Sequence, residues 1–259
     1  MQMISLTQNE VKYALEAHSG LSALLVEKSD KYQLIWVSSL THAAIHGLPD
    51  NELVPLKERV DLVEEIRRIT TKPILVDIDT GGDIRHLPRY IQWFEKAGAA
   101  GVVIEDKKYP KENSLLDNGK HQMEDIDIFC GKIRIAKMAS KGMMIIARLE
   151  SLIAQRSIYD ALIRAEAYVS CGADAILIHS KEKIEAREVM EFAAKFQEKF
   201  PDIPLVAIPT TYVLPEKHPF SIVIEANQML RASLKAMQNY IKGNAELAEV
   251  DEIFNLIGY

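Results

Sequence analysis

The chain has 259 residues, of which 48% are hydrophobic and 26% charged, with a formal net charge of -6. These are the proportions of an ordinary globular protein, and they exclude a disordered or membrane-embedded chain. Acidic and basic residues are interspersed, so no basic face is offered to a phosphate backbone and nucleic acid is not an expected partner.

The opening residues Met1, Gln2, Met3, Ile4, Ser5 and Leu6 carry neither a basic segment nor a sustained apolar one, and no apolar run has the length of a bilayer span. A cytoplasmic protein without membrane contact is expected. Cys130 and Cys171 are too few for a disulfide framework or a thiolate metal site, and read as small buried hydrophobes. His42 and His46 have the i, i+4 spacing of helical metal ligands, but without an acidic or thiolate neighbour in sequence they read as packing or surface residues.

Eight apolar runs follow one another: YALEA (13–17), LIWVS (34–38), PILVDID (73–79), GVVI (101–104), MMIIAR (143–148), AILI (175–178), PLVAIP (204–209) and SIVIEA (221–226). They are continuous instead of alternating, as strands are when both faces of a parallel sheet are covered. Helical patterns lie between them, at Leu56 to Ile69, Ile126 to Met138, Ile158 to Val169 and Glu185 to Phe200. Segments 90–106 and 161–180 repeat one αβ unit, a helix closed by glycine and then a short aliphatic strand. This alternation predicts an α/β protein of the (β/α)8 TIM-barrel type, with a doubly wound open sheet as the alternative because the first strand is weak. No linker rich in Gly, Pro or Ser divides the chain, so one domain over 1–259 is expected. Residues 227–259 read as two helices broken near Lys242-Gly243-Asn244, long for a closing barrel helix and suited to packing on a partner subunit.

Barrel enzymes carry their chemistry at the carboxyl ends of the strands. Those ends hold Trp36 and Ser38, Asp77 and Asp79, Glu105, Arg148 and Glu150, His179 and Ser180, and Thr210 and Thr211. Asp77, Asp79 and Glu105 would converge from adjacent strands, where a hard divalent cation relieves their repulsion; oxygen-only ligation points to Mg²⁺. The other reading is that one of these acids caps a helix or pairs with a lysine. Across the mouth would stand Arg148 and His179, joined by Lys111, Asn113 and Ser114 from the charged stretch EDKKYPKENS (105–114). A cation beside such donors suits a small di- or trianionic substrate. No Walker-type loop or G-x-S-x-G elbow is present, and Gly81-Gly82 is too short for a dinucleotide fingerprint.

These residues resemble the phosphoenolpyruvate mutases, within the superfamily that also contains isocitrate lyase and 2-methylisocitrate lyase. The resemblance runs through EAHSGLSA (16–23), IWVSSL (35–40), PILVDIDTG (73–81), EDKKYPKENSL (105–115), IARLESLIA (146–154), RAEAYVSCGADAILIHSK (164–181), IPTTY (208–212) and LRAS (230–233). It implies an isomerase that interconverts phosphoenolpyruvate and phosphonopyruvate for phosphonate biosynthesis. Asp77 would be the direct Mg²⁺ ligand, with Asp50, Asp79 and Glu105 holding its waters. Trp36, Ser38, Ser39 and Leu40 would receive the substrate carboxylate. Asn113, Arg148 and His179 would hold the migrating phosphoryl group, and Lys111 and Ser114 would complete a lid running from about Glu105 to Lys132. Homotetramers, dimers of dimers with an exchanged terminal helix, are implied as well.

The carbon–carbon lyases of the superfamily carry a K-K/R-C-G-H segment where this chain has Pro110-Lys111-Glu112-Asn113-Ser114, which disfavours lyase chemistry. Phosphonopyruvate hydrolases keep much of the mutase pattern but resemble it less at the asparagine, where they carry threonine, so Asn113 tilts the choice towards mutase. The chain departs from the family at Thr80-Gly81-Gly82-Asp83 in place of T-G-Y-G, at Ser39 in place of glycine, and at AQRSIYDAL (154–162) in place of a segment that begins A-G-W-G. A silent anion-binding relative is the alternative of another class, since fold alone does not establish activity.

Overall fold

Strands β1 (Lys12–Glu16), β2 (Leu34–Val37), β3 (Ile74–Asp77), β4 (Gly101–Glu105), β5 (Met144–Leu149), β6 (Ala175–Ile178), β8 (Leu205–Ala207) and β10 (Ile222–Glu225) close into a parallel barrel. This computed structural model describes Ile4 and residues 10–116, 121–244 and 246–258. The rest of the chain start, positions 117–120 of the expected lid, and positions 245 and 259 lie outside the described residues.

The weak first strand closes the circle. Lys12 registers with Ile222 of β10, and Ala14 with Leu34 of β2, which removes the open-sheet alternative. Continuous apolar strands are explained by two cores. Leu34, Trp36, Leu75, Val103, Ile146, Leu177 and Val206 fill the barrel, while Val37, Ile78, Val102, Ile145 and Ile176 face outward onto the helices. Each strand is thus apolar on both sides.

The covering helices are α1 (Gly20–Glu27), α2 (Ser39–Ile45), α3 (Leu56–Arg67), α4 (Leu87–Ala97), α5 (Ile126–Ala139), α6 (Ile158–Ser170) and α7 (Arg187–Lys199). Their starts follow from local chemistry: Asp125 accepts from Asp127 N and Ile128 N, and Ser157 from Asp160 N, satisfying first-turn amides. α4 ends at Gly98, whose φ of 98° and close approach to the Arg67 side chain admit no Cβ.

Two differences from the sequence reading have a physical cause. α7 begins at Arg187 and not Glu185, because Ile184–Glu185 (β7) pairs with Tyr212–Val213 (β9) in a separate two-stranded sheet. α1 and α2, short and lying directly after strand ends, were not expected. α2 starts where the Ser38 hydroxyl accepts the Thr41 amide at 3.3 Å.

α8 (Gln228–Ile241) and α9 (Val250–Ile257) contain no buried residue, and Leu234, Met237, Ile241, Ile253 and Ile257 are exposed along them. α8 is attached to the barrel at its start. Its N-cap residue Asn227 makes no side-chain cap; instead Glu16 Oε2, at the end of β1, accepts the Leu230 amide at 3.0 Å. Among the described residues, no helix is long and apolar enough to cross a membrane.

Candidate active site

At the carboxyl end of the barrel, every candidate residue except Asp79 and Glu105 lines one cavity, and those two lie beside Lys111 at its edge. Strand register makes the basic arrangement. Glu105 and Arg148 are direct neighbours on β4 and β5, and Asp77 sits one strand further along on β3.

The acids and cations do not face each other across the mouth; they interleave. Arg148 directs Nε to Glu150 Oε1 at 2.6 Å, Nη1 to Asp77 Oδ2 at 3.3 Å and Nη2 to the Ser114 hydroxyl at 3.2 Å. Lys111, from the loop after β4, buries its ammonium among Asp79 Oδ1 at 2.8 Å, Asp50 Oδ2 at 3.2 Å and Glu105 Oε1 at 3.8 Å. Burial opposes its charge, and the surrounding carboxylates outweigh burial and raise its pKa well above the ordinary lysine value.

The expected three-carboxylate cage is therefore divided among cations. Among the described residues, no three His, Cys, Asp or Glu side chains are grouped as a ready metal cage. Asp79 pairs with Arg59 Nη1 at 2.6 Å, and Asp77 accepts the Ser39 hydroxyl at 3.1 Å. Glu105 is different: both of its buried oxygens lack a hydrogen-bond donor, with Arg148 no nearer than 3.7 Å. Burial raises its carboxyl to about 7, against the pull of Lys107, Lys111 and Arg148.

His179 follows β6 and places Nδ1 3.0 Å from Arg148 Nη2. Glu150 Oε1 lies 3.3 Å from the same Nδ1, so this nitrogen faces both a donor and an acceptor, while Nε2 of the neutral ring has no protein partner. Burial and then Arg148 lower the His179 pKa, consistent with that neutral form. The Ser114 hydroxyl accepts from Lys107 Nζ at 2.5 Å and donates to Glu150 Oε2 at 2.6 Å. Asn113 spends one Nδ2 hydrogen on Asp50 Oδ2 at 2.6 Å, while its Oδ1 accepts the Leu115 amide. Trp36 contributes an unpartnered indole N–H to the same cavity. Leu40 and Ser38 line its wall at the start of α2.

The mouth of the barrel thus holds interleaved buried acids and cations around one cavity. A family model for phosphoenolpyruvate phosphomutase matches residues 3–244. The chain belongs to the phosphoenolpyruvate phosphomutase family. It is 35% identical over 267 residues to a phosphoenolpyruvate phosphomutase from Tetrahymena pyriformis, covering 96% of this chain and 87% of the relative. The crystal structure of a phosphoenolpyruvate phosphomutase from Streptomyces platensis subsp. rosaceus superposes with TM-score 0.87 at 32% identity, covering 96% of this chain and 91% of that one. A phosphonopyruvate hydrolase in complex with oxalate and Mg++ superposes with TM-score 0.82 at 30% identity, covering 96% and 90%. The protein is thus an enzyme of the phosphoenolpyruvate mutase and isocitrate lyase superfamily.

Within this phosphomutase-family site, four contributors escaped the sequence reading. Glu150 was noted at a strand end without a role, although its i+2 spacing from Arg148 was visible. Lys107 stands at the same spacing from Glu105 and lies 3.0 Å from Glu150 Oε2. Arg59 announces itself only as an arginine in the buried stripe of α3 with Val60, Val63 and Ile66. Glu52 lies in a turn with no sequence signal. The departure at Ser39 also has a definite place: its hydroxyl bridges Asp77 and Lys111, at 3.1 Å from each.

Proposed function

We propose that the chain interconverts phosphoenolpyruvate and phosphonopyruvate by intramolecular phosphoryl transfer, in which the P–O bond to the enol oxygen breaks and a P–C bond forms. The observation that carries this reading is the cluster of Arg148 and His179 at the strand ends with Asn113 from the Lys111–Ser114 loop, in a chain of this family. A loose, metaphosphate-like group needs placement and charge compensation more than a covalent partner. Arg148 gives a planar, permanently charged fork, and Asn113 retains one N–H not spent on Asp50. Trp36, Ser38, Ser39 and Leu40 would hold the carboxylate, with the Ser39 and Leu40 amides as donors.

Glu105 keeps two buried oxygens free of hydrogen-bond donors, and the all-oxygen set around it fits a hard divalent cation once the Lys111 ammonium leaves Asp50, Asp79 and Glu105. Asp77 would bind Mg²⁺ directly, with Asp50, Asp79 and Glu105 around it. When bound, Mg²⁺ would supply charge stabilisation to substrate oxygens. Lys111 and Ser114 would close the loop over the pocket and exclude water, which otherwise captures the phosphoryl group as phosphate. Lyase chemistry lacks a thiol here, since Cys130 and Cys171 belong to α5 and the end of α6, away from the mouth. The product would feed phosphonate biosynthesis.

A homo-oligomer, a dimer of dimers that exchanges the terminal helices, is part of the same proposal and is supported by the exposed apolar residues of α8 and α9. The deciding experiment is phosphorus NMR of phosphonopyruvate incubated with protein and Mg²⁺. Phosphoenolpyruvate is the expected product. Inorganic phosphate alone would make the enzyme a hydrolase, and unchanged phosphonopyruvate would leave only a binding role.

A further inference from the structure

Glu52 sits in the turn between α2 and α3, and its carboxylate joins two loops. Oε2 accepts the backbone N–H of Lys111 at 2.8 Å, while Oε1 accepts the Thr80 amide at 3.2 Å and the Thr80 hydroxyl at 2.7 Å. Two residues earlier, Asp50 accepts from Asn113 and pairs with the Lys111 ammonium. One short turn therefore grips the Lys111–Ser114 segment by main chain, ammonium and carboxamide.

The backbone of Glu52 is in the left-handed region, with φ of 65°, which is uncommon for a residue that carries a side chain. Such a conformation persists where surrounding contacts over-determine it, and the three hydrogen bonds to the carboxylate are those contacts. Position matters too. Glu52 lines an outer cavity of about 280 Å³ with Gly82, His86 and Tyr109, whereas Lys111 lines the barrel mouth. Their bond therefore links a residue of the outer cavity to a residue of the mouth.

We propose that Glu52 is a positioning residue that holds the Lys111–Ser114 segment shut over the mouth and blocks water entry from the outer cavity; the second half of this statement rests on the mutase reading. Glu52 touches no reacting group. Its role needs both carboxylate oxygens as acceptors, one for each loop, and a carboxamide offers only one. Glu52→Gln keeps the size and leaves one acceptor oxygen, so either the Lys111 amide or the Thr80 amide loses its partner, whereas Glu52→Ala removes the link altogether.

The test is hydrogen exchange by mass spectrometry on the full chain, with peptides from β4 and β5 as internal controls, together with phosphorus NMR of phosphonopyruvate turnover. Glu52→Gln should speed exchange at residues 107–116 about tenfold with the barrel strands unchanged, and should raise the ratio of inorganic phosphate to phosphoenolpyruvate several-fold. Unchanged exchange at 107–116 in both Glu52→Gln and Glu52→Ala overturns the latch, whatever the turnover. Faster exchange with an unchanged product ratio overturns the role in water exclusion. Should the chain prove to have no mutase activity, the exchange result still decides whether Glu52 holds the segment.

Discussion

Arg59 Nη1 lies 2.6 Å from Asp79 Oδ2 and 2.8 Å from the Asp77 carbonyl oxygen, so one guanidinium from α3 braces the turn that carries both aspartates. Both side chains are almost fully buried. Burial pushes the Asp79 carboxyl up, and Arg59 with Lys111 outweighs it and holds Asp79 below the usual carboxylate range. Removing one partner of a buried pair costs about 3 kcal/mol or more where the other charge is left alone, and less here because Lys111 still faces Asp79 at 2.8 Å. Arg59→Met should lower unfolding free energy by that smaller amount in a urea titration. Because Asp79 also pairs with Lys111, the single variant Asp79→Leu is measured beside the double variant Arg59→Met/Asp79→Leu, and the coupling between the two changes should be favourable to the pair; no coupling would place the contribution of Arg59 in its bond to the Asp77 carbonyl.

Arg148 meets Glu150 through Nε, Asp77 through Nη1, and Ser114 and His179 through Nη2, a planar fork that an ammonium cannot reproduce. Arg148→Lys should reduce kcat of phosphonopyruvate turnover by about 100-fold or more, the size found when a positioned donor to a transition-state anion is lost. Coupled assay of phosphoenolpyruvate formation checks this. Equal activity would remove Arg148 from the phosphoryl-holding role.

Ser39→Gly restores the residue usual in the family and deletes the hydroxyl between Asp77 and Lys111. The backbone amide survives. A hydrogen bond to a charged group contributes about 1.5 to 3 kcal/mol, so kcat/KM should change by less than about 100-fold while the protein stays folded. A larger loss would show that this chain has come to depend on its serine.

His42 gives stability a pH dependence with a defined sign. Its ring is buried on α2, and burial, then the charges of Arg59 and His46, lower its pKa to about 4 from 6.5. Below pH 6.5 the unfolded chain takes up a proton that the folded chain refuses, so this contribution to stability is full above 6.5 and is lost as pH falls towards 4. Chemical denaturation across that window should therefore fall less steeply for His42→Asn than for the parent chain. Identical slopes would show that His42 does not resist protonation.

The fold was legible because its signals are local and repeated: apolar runs too continuous for a one-sided sheet, glycine-capped helices, and polar residues closing each strand. Asp77, Glu105, Arg148 and His179 could be found by position alone, since register carries them to one end of the barrel. Arg59 and Glu52 could not. Arg59 reaches the site across a helix–sheet interface, and Glu52 through a turn whose backbone conformation no composition rule announces. The arrangement of charge was misjudged for a related reason. Lys111 belongs to a loop, and where a loop sets its ammonium among carboxylates is decided by tertiary closure, not by spacing.

The bond between Glu16 and the Leu230 amide makes α8 a cantilever, clamped at its root and unsupported along its length. A carboxylate at the first turn suits the positive end of the helix, so the clamp also aligns the helix axis. The direction in which α8 leaves the barrel is therefore fixed by the last residue of β1. Any surface that α8 meets is approached at an angle written into the opening strand of its own chain.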